Sequence, residues 1–210
     1  MAKNFVTNED VTVRLFENNF LEMFTRVHWS VPLWIYLPVI FYLIYNAFLV
    51  YHISVLKFIF LFISGIIIWT ITEYTLHRFV FHYEPKSKTG KRIHFLVHGV
   101  HHAYPKDSKR LVMPPAVSIP LAILFFILYK SIFGEVNILP FYSGFLVGYL
   151  IYDMTHYAVH HFNIHNKFWL AIKKHHMKHH YQDSLKGFGV SQPLWDYVFD
   201  TDFKYEKITK

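Results

Sequence analysis

The sequence predicts an all-α integral membrane protein, with four transmembrane helices and a helical cap on one side of the bilayer. Three observations predict it. The chain is 53% hydrophobic and only 17% charged, whereas soluble domains carry about a quarter charged residues. Four apolar stretches approach the roughly 20 residues that a helix needs to cross a hydrocarbon core. Lysine and arginine, finally, gather in segments that alternate with connections almost free of them. Residues 1–210 read as one domain, with no internal repeat. A net charge of +7 would also suit a nucleic-acid binder. Its distribution instead fits one membrane face, and no nucleic-acid partner is expected. Cysteine is absent, which excludes disulfides, iron–sulfur clusters and thiolate metal sites.

The N-terminal segment lacks the charged start and apolar core of a signal peptide. Phe16, Phe20, Met23, Phe24 and Val27 recur at helical spacing among Arg14, Glu17, Glu22 and Arg26. The expected element is an interfacial amphipathic helix over residues 10–27. The spans follow near residues 31–50, 55–76, 114–133 and 138–157. Pro32 and Pro38 lie early in the first, and Pro115 and Pro120 open the third.

Charge orients these spans. Lys3, Arg14 and Arg26 precede the first, eight basic residues run from Arg78 to Arg110, and eight more run from Lys167 to Lys210. The other two connections hold Lys57 and Lys130. The positive-inside rule then makes both termini and the long central loop cytoplasmic, in a bacterial inner membrane or the endoplasmic reticulum.

The chain has sixteen histidines. His77 and His82 end the second span, and His98, His101 and His102 form HGVHH. His156 and His160 end the fourth span, and His176, His179 and His180 close the set in HMKHHY. Residues three and four apart share a helix face, so each HxxHH is expected to aim three imidazoles at one point. Ten imidazoles suit two metal ions, which makes the cap a histidine-rich dimetal site. Imidazole favours iron, zinc, copper or nickel, and a structural zinc site needs only four ligands. Redox iron that activates O2 fits the set best. Glu73 and Asp153, one turn before His77 and His156, are candidates to accept a ligand's distal N–H and orient it. At 1.5 Å per residue, His77 lies roughly 33 Å and His156 roughly 27 Å along their helices, near the cytoplasmic boundary.

In EYTLHRFVFH, HGVHHAYPKDSKRLVMPP, YDMTHYAVHH and HHMKHHYQDSLKGFGVSQPLWDYVFDT, the chain resembles the fatty acid 2-hydroxylases of the sterol desaturase/fatty acid hydroxylase superfamily. The resemblance runs over about residues 15–200. It implies metal ligation by the same ten histidines, iron in the working enzyme with zinc in purified material, and O2 as co-substrate. It also implies hydroxylation at C2 of a long acyl chain, often one destined for sphingolipids. Many eukaryotic members begin with a cytochrome b5 domain, for which this chain has no room. Electrons are therefore expected from a separate cytochrome b5, ferredoxin or similar donor. Two alternatives stay open at this level. One is a sterol or other lipid desaturase or hydroxylase with the same metal centre. The other, more remote, is a non-enzymatic metal-binding membrane protein or transporter. A transporter would place its ligands near mid-bilayer, whereas the span interiors here are almost free of ionisable groups.

Overall fold

The computed structural model describes residues 5–203; Lys3, Lys204, Lys207 and Lys210 lie outside the described residues. All regular structure among the described residues is helical. The order is α1 (Asn19–Met23), α2 (Val31–Tyr45), α3 (Val55–Leu76), α4 (Lys88–His94), α5 (Val100–Ala103), α6 (Pro115–His161), α7 (Lys167–Tyr181) and α8 (Leu194–Val198). Three π turns interrupt or extend them, at Asn46–Val50, His77–Phe81 and Phe95–Gly99.

The expected helix over residues 10–27 is corrected to the five residues of α1. Side chains upstream take the backbone groups that a helix would use. Leu15 and Phe16 donate their N–H groups to Glu22 Oε2 at 2.9 Å, and Arg14 donates to the carbonyl of Phe16 at 2.7 Å and to that of Glu17. Asn18 then caps α1. Buried Glu22 also pairs with Arg110 at 2.8 Å, which straps this segment to the stretch between α5 and α6.

Three helical stretches are long and apolar enough to cross a membrane: Val31–Val50, Val55–Phe81 and Pro115–His161. Trp34, Leu56, Phe60 and Ile132 stand largely exposed on them, as side chains facing hydrocarbon would. This is the pattern of a membrane protein. The third stretch breaks at Gly134, whose φ of 74° and ψ of 178° are closed to other residues. Its two halves fold back on each other. Phe133 stacks on Phe141 with ring centroids 4.2 Å apart, and the Tyr142 hydroxyl donates to the Ala122 carbonyl.

Helix α3 crosses the second half of α6 at backbone contact. A Cβ on Gly144 would lie 1.9 Å from the Phe62 carbonyl oxygen, and one on Gly65 would lie 2.0 Å from that of Phe141. Trp69, Phe145 and Tyr149 fill the crossing edge-to-face. The tight crossing brings the C-terminal ends of α3 and α6 together.

Candidate metal centre

His77 and His82 are five residues apart, which on a regular α-helix would point them about 140° away from each other. The π turn at the end of α3 removes that offset. His82 donates its N–H to the His77 carbonyl at 3.1 Å, and the two ring centroids come within 4.9 Å. A second π turn, at Phe95–Gly99, carries His98. Such bulges frequently mark functional positions. Helix α5 supplies His101 and His102, α6 supplies His156 and His160, and α7 supplies His176, His179 and His180.

All ten histidines named from the sequence converge, in two groups of five. The first is His77, His82, His98, His102 and His179; the second is His101, His156, His160, His176 and His180. Within each group one nitrogen per ring lies within 4.8 Å of all the others. The expectation that each HxxHH aims at a single point is therefore corrected: both boxes divide. Neighbours such as His101 and His102 diverge by about 100° around the helix. Within the two boxes, the i, i+4 pairs, His98 with His102 and His176 with His180, share a centre.

The distances test whether metal fits. With N–metal bonds of about 2.1 Å, imidazoles at right angles would hold their nitrogens about 3.0 Å apart. In the first group Nε2 of His98 lies 3.1 Å from Nε2 of both His77 and His82, and 3.0 Å from that of His102. In the second group His101 and His156 are 2.8 Å apart, His160 and His176 3.0 Å, and His176 and His180 3.1 Å. The donor sets fit two metal ions. Burial, followed by the closeness of other imidazoles, pushes His98, His101, His176 and His180 well below the usual imidazole range. Neutral rings are the form that binds metal.

The outer contacts differ between groups. His77 Nδ1 donates to the Phe188 carbonyl at 2.5 Å, and His179 Nδ1 to the Lys186 carbonyl at 2.7 Å. In the second group Nδ1 of His101, His156, His176 and His180 meets no protein acceptor. Glu73 and Asp153 touch no imidazole, which corrects their expected role. Glu73 accepts the N–H groups of Val190 and Ser191 at 2.8 Å and the Ser191 hydroxyl at 2.5 Å. Asp153 accepts the Met113 N–H at 3.1 Å and the Tyr149 hydroxyl at 2.9 Å. Glu73 reaches a neighbouring segment, and Asp153 reaches both a neighbouring segment, at Met113, and the preceding turn of its own helix, at Tyr149. The acceptors that orient His77 and His179 are backbone carbonyls, for which composition carries no signal.

An apolar cavity of about 210 Å³ reaches both groups. His98, His101 and His156 lie in its wall, with Val97, Val112 and Met113 among the apolar lining. A separate, more polar cavity of about 560 Å³ reaches His82, His102 and His180 from the side of Gln182 and Asp183.

Comparison with known proteins agrees with this geometry. Residues 62–201 match the family model described as fatty acid hydroxylase. The chain is 39% identical to the dihydroceramide fatty acyl 2-hydroxylase FAH1 of Arabidopsis thaliana, over 90% of this chain and 79% of that protein. It is 37% identical to the fatty acid 2-hydroxylase of Rattus norvegicus, over 90% of this chain but 56% of that protein. The solved structure of full-length scs7p, in which only the hydroxylase domain is visible, superposes with a TM-score of 0.84 at 38% identity. That match covers 90% of this chain and 71% of the other. A matched region that contains all ten converging histidines, on a shared fold, means that the chain belongs to the fatty acid hydroxylase family.

Proposed function

We propose that this chain hydroxylates a long-chain fatty acyl lipid at C2, with the ten histidines holding two metal ions. Iron is the working metal of this reading, zinc an occupant of purified protein, O2 the co-substrate, and a separate protein the electron donor. The two ions, when bound, would activate O2 with the electrons of that donor; the chain supplies their ligands and the substrate's position. The apolar cavity carries the proposal, because its wall joins an acyl-compatible lining to imidazoles of both groups. Met113, Val112 and Val97 would hold the first carbons of a chain beside His98, His101 and His156. Such orientation is the part of the barrier that a binding site can remove. The dihydroceramide named for the Arabidopsis relative makes an amide-linked acyl chain a candidate beside a free fatty acid.

In this reading the break at Gly134 separates two spans and supports a count of four. The histidines then lie in a cytoplasmic cap, level with the polar end of a lipid. The α1 segment rests at the interface, its Phe20, Met23 and Phe24 exposed. Residues 1–210 act as one hydroxylase domain.

The test is lipid mass spectrometry on cells expressing the wild type, His156→Ala or His179→Ala, with a donor supplied. One added oxygen at acyl C2, lost in both variants, is the expected result. Added oxygen that persists in the variants would remove the histidines from the reaction, and oxygen found only in sterols would move the substrate.

A further inference from the structure

The two groups of imidazoles are supported differently, and one loop makes the difference. Residues 186–191 run beneath His77 and His179, and two buried carboxylates hold this loop. Glu73 takes its C-terminal end, at Val190 and Ser191. Asp196, from α8, takes its centre: Oδ1 accepts the Phe188 N–H and Oδ2 the Gly189 N–H, each at 2.8 Å. Asp196 also accepts the Thr201 hydroxyl at 2.8 Å and His175 Nε2–H at 3.0 Å, and it is wholly buried.

The amide that joins Phe188 to Gly189 therefore works at both ends. Its N–H donates to the Asp196 carboxylate, and its carbonyl accepts Nδ1–H of His77 at 2.5 Å. A charged acceptor on one side of an amide polarises it and makes its carbonyl a stronger acceptor. A stronger acceptor at Nδ1 makes Nε2 a better metal donor and fixes the ring's tautomer. The Lys186–Gly187 amide, two upstream, repeats the arrangement with a neutral partner. Its Lys186 carbonyl accepts from His179, while Gly187 N–H donates to the Thr201 carbonyl at 2.8 Å. Glycine at 189 permits the approach, because a Cβ there would lie 2.9 Å from Asp196 Oδ2 and 2.1 Å from the Gln192 carbonyl oxygen.

We infer that Asp196, seconded by Glu73, is a positioning residue for the first metal group alone, acting on His77 and His179 through the backbone of the 186–191 loop. The second group does not touch this loop through Nδ1, and four of its five rings lack any protein acceptor there. The inference rests on the reading that both groups hold metal.

Zinc is the probe, added to purified full chain in detergent, and zinc per chain is measured along a series of chelators of rising strength. Two ions on the wild type uphold the metal reading; none would remove that reading, and the inference with it. On a wild type that holds two, Asp196→Asn should weaken one ion by about 10–100-fold, as loss of an outer-shell partner does, and leave the other unchanged. Combination with a ligand change shows which ion is affected. Asp196→Asn with His82→Ala should keep an ion at wild-type strength, and Asp196→Asn with His160→Ala should keep none at that strength. Ser191→Ala, which removes a single hydrogen bond to Glu73, supplies a milder variant and should weaken the same ion to a smaller degree. If both ions are retained as in the wild type, or both weaken by the same factor, the selective role of Asp196 is overturned.

Discussion

At the scale of single residues, the centre is built from groups that water would otherwise charge. His102 is pushed down to about 3, first by burial and then by its imidazole neighbours His77 and His94. His98 and His180 move the same way. An unfolded chain takes up protons on such rings as pH falls through about 6.5, while the folded chain refuses them. Between those values the unfolded state holds more protons, so stability falls as pH falls. The metal-free protein should therefore keep its full melting temperature above about pH 7 and lose it progressively below about 6.5. Thermal unfolding in detergent at stepped pH measures this. A melting temperature flat from neutral pH to pH 4 would show that the rings are hydrated. Asp153 teaches a different lesson about single residues. Its place one turn from His156 suggested an imidazole partner, yet it ties Met113, in the cavity wall, to Tyr149. Sequence spacing gives the face of a helix but not what packs against that face.

At the scale of elements, the α3–α6 crossing sets the separation between His77 and the pair His156 and His160. Gly144→Ala places a methyl group against the Phe62 carbonyl and must part the helices. Overpacking of this kind costs about 1–3 kcal/mol. Gly134→Ala is the control, since nothing lies within 4 Å of a Cβ there and only its positive φ is strained, at about 1–3 kcal/mol. Both variants should melt earlier, but only Gly144→Ala should also hold less zinc per chain. Equal zinc in the two would show that the crossing does not govern the centre. Helix existence was legible here because apolar runs of this length have few other solutions. Eight of the ten converging histidines were legible because i, i+3 and i, i+4 spacing repeats in separate segments; His77 and His82, five apart, stood out by their place at the end of a span. The α1 region misled, since its helical periodicity competes with side-chain bonds from Arg14 and Glu22 that only the fold reveals. The π turns were equally hidden; no composition marks where a helix will widen by one residue.

At the scale of the whole molecule, two kinds of cohesion meet at one boundary. Below it, α2, α3 and α6 bury an aromatic core around Tyr36, Trp69, Phe141 and Tyr149. Above it, histidines make up much of what is buried: α5 buries His101 and His102 beside Val100 and Ala103, and α7 buries His176 and His179 beside Ile172, while α4 buries no residue. Ion pairs such as Arg110 with Asp107 and Glu22 add to the cap. The division of HxxHH between two groups adds a consequence for integrity. Each group draws on distant segments of the chain, so the imidazoles act as rivets that no single segment can replace. Stripping the ions should then release the cap as one unit and leave the membrane helices paired, in the manner of local unfolding. Limited proteolysis after chelation should cut first within the cap loops, around Lys86 and around Asp183, and spare the α2–α3 and α6 hairpins. Zinc, returned before the protease, should close those sites again.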